Sequence, residues 1–159
     1  MTMTIRAATD EDVPAMAAIR AQEWQTEEFW NASIRGYLKG GHSPQKALPE
    51  RTAFVAVEDE QVVGFVAGHR TTRLGCDGEL QWINVPQEKR GRGIAGLLIE
   101  RMAAWFVEHD AVRICVDPDE PARFLYTKFG ATALNRHWMV WEDSRRMLER
   151  AREVNAGRD

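Results

Sequence analysis

The sequence predicts a mixed α/β fold in which antiparallel strands precede one βαβ unit. Apolar residues recur at three- and four-residue spacing between residues 13 and 38, and β-branched and aromatic runs replace that pattern from residue 53. Two such runs flank Glu58-Asp59-Glu60 and read as an antiparallel hairpin. A strand at 79–85, a helix at 91–109 and a strand at 113–116 make one right-handed crossover, which sets those two strands parallel.

The elements follow in order. Residues 4–8 (TIRAA) are a short strand. Thr9 is an N-cap with Asp12 three residues on, a capping-box variant. Val13, Met16, Ala17 and Ile19 carry the first helix to about Gln22, with Pro14 tolerated in its first turn. The second helix, 26–38, has Phe29, Trp30, Ile34, Tyr37 and Leu38 on its apolar side and ends at Gly40-Gly41. Residues 42–50 (HSPQKALPE) read as a loop, and 53–57 and 61–70 as the hairpin strands. A polar turn at Gly75 to Gly78 precedes strand 79–85, and a glycine-bearing loop leads to an amphipathic helix with Ile94, Leu97, Leu98, Met102, Trp105 and Phe106. After strand 113–116, Pro118 starts a helix with Ala122, Leu125, Tyr126 and Phe129 on one side, and Gly130 stops it. Residues 137–141 (HWMVW) are the last strand. The tail from Ser144 is charged and helix-prone, with Met147, Leu148, Ala151 and Val154 on one side, ready to dock on its own domain or on a second subunit. A single domain, 1–159, is expected, with its core at about 4–143 and a charged helix at 144–159.

Composition narrows function. At 159 residues, with 44% hydrophobic residues and six tryptophans, the chain can bury a core without disulfides or a structural metal. A net charge of −3 speaks against nucleic acid as a partner, so any cationic site is local. Cys76 and Cys115 form neither a disulfide framework nor a CxxC knuckle, which points to a reducing cytoplasm. No signal peptide or apolar run long enough for a membrane span is read. His42, His69, His109 and His137 lack metal-site spacing, and no GxSxG elbow occurs, so neither a zinc nor a serine hydrolase is expected, and no metal.

Gly91 to Gly96 spells G-x-G-x-x-G between a strand and a helix, with Asp117 at the end of the next strand. This is a dinucleotide motif in form. The glycines, however, come several residues after the strand and beyond mid-chain, and only one βα unit follows, so a doubly wound sheet does not fit. The helix start remains a site for an anion, because its first N–H groups are unpaired and carry the positive end of the dipole. Lys89, Arg90 and Arg92 make the stretch cationic and favour pyrophosphate. The competing reading is a basic loop whose glycines only set a turn.

Gln87-Glu88-Lys89-Arg90-Gly91-Arg92-Gly93-Ile94-Ala95 resembles the Q/R-x-x-R-G-x-G-I/L-G/A signature of the GNAT superfamily of N-acetyltransferases. Residues 119–130 (DEPARFLYTKFG) resemble that superfamily's N-x-x-A-x-x-L-Y-x-K-x-G-F block. They depart from it at Asp119 and then at Ala131, and Asp119 cannot donate the hydrogen bond an Asn amide gives. The resemblance spans almost the whole chain. It implies a central, mostly antiparallel sheet with one parallel pair splayed around acetyl-CoA, the co-substrate. The implied cofactor-binding residues are Ile83, Val85, Gln87, Lys89, Arg90, Gly91, Arg92, Gly93, Ile94, Ala95, Asp119, Ala122 and Tyr126.

Acyl transfer to an amine needs a deprotonated amine, a stabilised oxyanion and a protonated leaving thiolate. By the same resemblance Glu79 is the general base, directly or through water, and a backbone N–H near Ile83 polarises the thioester, while Tyr126 is the candidate general acid because a phenol of ordinary pKa about 10 stays protonated at pH 7 and can hand a proton to a thiolate. Glu79 also reads as a solvated carboxylate at a strand end, and Tyr126 as a half-buried helix tyrosine. Strict alternation places Glu79, Gln81, Ile83 and Val85 on one face and Leu80, Trp82 and Asn84 on the other. Cys115 reads as a small hydrophobe rather than a nucleophile. Trp24, Glu27, Glu28, Trp30 and Tyr37 are the groups available to a small-molecule or peptide amine, with Trp24 and Glu28 as the substrate candidates. A non-catalytic acyl-CoA sensor and a dinucleotide binder are the rival functions, and a homodimer is possible from the superfamily's habit.

Overall fold

The computed structural model describes residues 2–157. Strand β1 (Met3–Ala7) leads into a 3-10 turn at Asp10–Asp12 and helix α1 (Val13–Ala21). The turn is fastened by the Thr9 N–H, which donates to Asp12 at 2.8 Å, and by Arg6, which grips the same carboxylate at 2.8 and 3.0 Å. Helix α2 (Glu27–Leu38) is capped by the Thr26 hydroxyl, which accepts from the Phe29 N–H at 3.0 Å.

Strands β2 (Ala47–Glu58) and β3 (Gln61–Thr71) form the hairpin. Its two-residue turn places Asp59 and Glu60 at φ of 51° and 65°, the geometry that matches strand twist. Residues 47–50, read from the sequence as loop, belong to β2: Ala47 pairs with Thr71, and a register shift before Arg51 absorbs the polar stretch. Proline is tolerated there because β1 pairs only with Phe54 to Glu58, which leaves the first half of β2 as an edge.

Strand β4 (Gly78–Asn84), helix α3 (Ile94–Glu108) and strand β5 (Ile114–Val116) are the crossover, and β4 and β5 pair in parallel. Helix α4 (Glu120–Lys128) is capped by Asp119 and takes Pro121 in its first turn. Pro118 therefore precedes the helix rather than starting it, because Asp119 satisfies the Ala122 N–H at 2.9 Å and sets the boundary. Strand β6 (Thr132–Ala133) is too short for any pattern to announce, and β7 (Met139–Trp141) pairs with it and with β5. Helix α5 (Ser144–Ala156) closes the described chain.

The seven strands run in the order β1-β2-β3-β4-β5-β7-β6, antiparallel except for β4 and β5. Helices α1 and α2 cover one face, where Val13, Met16, Ile34 and Tyr37 meet Val55, Phe65 and Ala67. Helix α3 covers the other, with Leu98, Ile99, Met102 and Phe106 against Val66, Leu80 and Ile114. The apolar side of α5 lies on this second face: Met147 and Ala151 are buried, and Leu148 and Val154 pack beside them, so it docks along α3 of its own chain. No helix among the described residues is long and apolar enough to cross a membrane.

Candidate active site

The site begins where β4 and β5 part. Their pairing consists of Gly78–Ile114, Glu79–Cys115 and Leu80–Val116 and then stops, while β4 runs on against β3 as far as Asn84. A fork opens, bounded by an edge of β4 that has no strand beside it. At its root β4 carries a bulge: Trp82 pairs with Ala67 and Leu80 with Gly68, so Gln81 is the extra residue. The bulge overturns strict alternation. Leu80, Ile83 and Val85 pack with the α3 core, whereas Glu79 and Trp82 face α2, where Trp82 meets Tyr37 at 5.0 Å. Gly68 makes room for the bulge, since a Cβ there would lie 3.0 Å from the Glu79 carbonyl and 2.9 Å from Met102 Cε.

The glycine loop lies at the open end of the fork. Gly91 and Gly93 both hold φ of 83°, and Gly93 is the N-cap of α3. Only glycine takes this backbone without strain. A Cβ at Gly91 would meet nothing within 4 Å, so the turn faces open space. One depression is lined by Lys89, Arg90, Gly91, Gly93 and Gly96, and a second by Glu23, Ile83, Asn84, Asp119 and Ala122. Val85, Arg90, Ala95 and Leu125 line both, which joins them into one groove from the glycine turn to the fork.

The loop cations are less free than their sequence indicates. Arg92 is hydrogen-bonded to Glu58 at the end of the hairpin, and Lys89 stands 3.9 Å from the same carboxylate. The Arg92 guanidinium holds the Glu58 carboxyl below the usual carboxylate range, and Glu58 in turn raises Arg92. Arg90 donates to the Val85 carbonyl at 3.0 Å and to Glu23 at 2.7 Å. The backbone N–H of exposed Gln87 donates to the Gln22 side-chain oxygen at 3.3 Å. Gly96 serves packing instead: a Cβ there would fall 2.3 Å from Asn155 Oδ1 of α5 and 2.9 Å from Phe129. Asn155 also donates to the Gly96 carbonyl at 3.0 Å and to Glu100 at 2.8 Å.

Glu79 is 5% exposed, so the solvated-carboxylate reading fails. Its Oε1 accepts from Arg73 Nε at 3.1 Å and lies 3.4 Å from His69 Nε2, a separation whose direction does not make a hydrogen bond. His69 is fully buried and meets the Tyr37 hydroxyl at 2.8 Å through Nδ1. Tyr126 is 4% exposed, with its ring edge-on to Trp141 at 5.6 Å. Burial first and Asp119 second push its phenol up, against the pull of Arg20. Cys115 is fully buried and its thiol is likewise raised by burial, as a core residue's is.

On the α1–α2 wall, Trp30 and Tyr37 are core residues, while Trp24 is 57% exposed, packed on Trp30, and Glu28 is exposed on the outside of α2. Sequence reasoning passed over Arg20, His69, Arg73 and Asn155. No motif marks them; the β3–β4 register puts His69 opposite Glu79, and the docking of α5 brings in Asn155. Among the described residues no cluster of three metal-ligating side chains occurs.

The comparisons agree with this geometry. No curated protein matches the sequence. An acetyltransferase of the GNAT family from Desulfovibrio desulfuricans superposes with a TM-score of 0.72 at 15% identity, over 89% of this chain and 99% of its own. A GNAT acetyltransferase from Brucella melitensis, solved with acetyl-CoA, gives 0.65 at 21% identity, over 89% and 88%. The PaiA N-acetyltransferase of Thermoplasma acidophilum, solved with coenzyme A, gives 0.63 at 15%, over 89% and 99%. At such identities the likeness is one of fold. The sequence profile of the GNAT acetyltransferases matches residues 10–131, from the turn before α1 to the end of the α4 block and across both the glycine turn and the fork, so the chain belongs to the Acetyltransferase (GNAT) family.

Proposed function

We propose that the chain transfers an acetyl group from acetyl-CoA to a primary amine, a small molecule or a peptide, by direct attack in a ternary complex. The observation that carries this is the single groove running from the glycine turn into the β4–β5 fork. The helix start behind Gly93, with its unpaired N–H groups, suits the pyrophosphate, and Lys89 and Arg90 line the same end of the groove. The free edge of β4 at Ile83 and Asn84, with Val85 just beyond it, suits the pantetheine arm in the manner of an added strand, with Ala122 lining the same groove. Asp119 supports this wall by capping α4.

When bound, acetyl-CoA supplies the thioester whose carbonyl the amine attacks. The chain does the rest. Glu79 takes the proton of the incoming ammonium, directly or through water. A backbone N–H near Ile83 polarises the carbonyl. Tyr126, kept protonated by burial, returns a proton to the departing sulfur. Cys115, buried and with its thiol raised by that burial, supports direct transfer over a covalent route.

Thermal-shift measurements with acetyl-CoA, CoA, NAD and FAD, followed by thiol release with a panel of amines, test the reading. Stabilisation by acetyl-CoA and CoA, together with thiol release, is expected. Stabilisation by NAD or FAD alone overturns it in favour of a dinucleotide binder, and CoA binding without thiol release from any amine makes the chain an acyl-CoA sensor.

A further inference from the structure

Arg20, on the last turn of α1, sits beside the open end of the fork. Its guanidinium lies over the Trp30 ring at 4.2 Å and within 5.9 Å of the Trp82 ring, and Nη1 donates to the Asn84 side chain at 3.0 Å. Nε is buried without a hydrogen-bond partner. Among the described residues Arg20 makes no ion pair. The carboxylates whose charge it feels are engaged elsewhere: Glu23 binds Arg90 at 2.7 Å, and Asp119 caps α4. Stacking on two indoles fixes the guanidinium in place but does not oppose its charge.

A half-buried cation without a counter-charge is costly unless an anion completes it, and a guanidinium held flat presents the fork that fits a carboxylate. Asn84 and Glu23, beside Arg20, line the groove. Arg20 also acts by charge on Tyr126 and Asp119 across the fork. The stretch of groove beside Arg20, lined by Ile83, Asn84 and Ala122, suits the pantetheine arm, which carries no charge, and the pyrophosphate falls to the glycine turn beyond Arg90, so the acceptor is the other source of an anion here.

We propose that Arg20 is a specificity residue that binds a carboxylate of the acceptor, so that the preferred acceptor is an amine that also carries a carboxylate. The inference rests on the acetyltransferase reading and deepens it. The indoles of Trp30 and Trp82 hold the guanidinium ready, and exposed Trp24 packs edge-on against Trp30.

The test uses ω-amino acids of increasing chain length, each beside its uncharged primary amide. Thiol release is followed in the wild type, Arg20→Gln and Arg20→Lys. In the wild type the best amino acid should exceed its amide by about tenfold or more in kcat/KM, the worth of one charge-assisted pair. Arg20→Gln should abolish that preference through KM, and Arg20→Lys should restore part of it. Equal use of amino acid and amide by the wild type overturns the proposal. So does an equal loss on both in Arg20→Gln, which would place Arg20 at the leaving thiolate. CoA-dependent thermal shifts of the variants report folding. Binding of the same amino acids and amides to the CoA-loaded chain, read by NMR, separates the two claims: carboxylate-dependent binding lost in Arg20→Gln without any thiol release leaves this inference standing and removes the acetyltransferase reading, and no carboxylate-dependent binding removes this inference.

Discussion

Two side chains carry the proposed proton transfers, and the structure gives each a separate signature. Tyr126→Phe keeps the edge-on contact with Trp141 and removes only the hydroxyl, so it should lower kcat about hundredfold, as loss of a general acid does, while the acetyl-CoA dissociation constant stays within twofold or so. Unchanged kcat in steady-state assays would reject the role. Glu79→Gln removes the charge that meets Arg73 and should lower kcat by a similar factor at pH 7. Its deficit should shrink as pH rises, because more of the amine then arrives deprotonated, and a constant deficit from about pH 7 to 9 would make Glu79 structural. Burial raises Tyr126 above the ordinary phenol value of about 10, so its proton is retained below that pH and no alkaline fall of kcat should come from it. A fall near pH 8 that disappears in Tyr126→Phe would contradict the buried geometry.

At the scale of elements, two predictions concern how pieces join. Gly96→Ala puts a methyl group into Asn155 and Phe129, and this overpacking should cost about 1–3 kcal/mol in urea unfolding. Combined with Asn155→Ala, the cost should be less than additive, because the obstacle is removed; full additivity would mean that α5 and α3 do not press on each other at this point. The β2–β3 turn holds Asp59 and Glu60 in left-handed conformations that favour glycine. Glu60→Gly should therefore raise stability by about 1 kcal/mol, measured as an increase in Tm. The same turn places Glu58 against Arg92, so the hairpin end braces the glycine loop on which the groove depends.

Over the whole molecule, acid should loosen the fold at two places. Asp12 is held below the usual carboxylate range by Arg6, and Glu58 by Arg92, so each binds its proton more weakly folded than unfolded. Their stabilisation is present above the unfolded carboxyl value of about 4 and is lost as pH falls through the lower folded values, so the urea midpoint should drop below about pH 4. Arg6→Gln should reduce that drop, and an unchanged pH dependence would show that the Asp12 clamp does not contribute. Helix periods, the capping residue Thr9, the acidic hairpin turn and the glycine loop were legible in the sequence because each depends on neighbours within a few residues. So was the mixed α/β class with one parallel strand pair, because a strand–helix–strand crossover sets that pair, while the splayed sheet was implied by the resemblance of residues 87–95 and 119–130. The face of Trp82, the burial of Glu79 beside His69 and Arg73, and the pairing of Arg92 and Lys89 with Glu58 were not. They depend on a bulge and on strand register, which join residues six to thirty-four positions apart only once the sheet has formed. Chain-local rules set the glycine turn at which the groove starts, whereas long-range packing sets Arg20 on Trp30 and Asn84 with no ion pair among the described residues, and the proposed choice of acceptor rests on that tertiary placement alone.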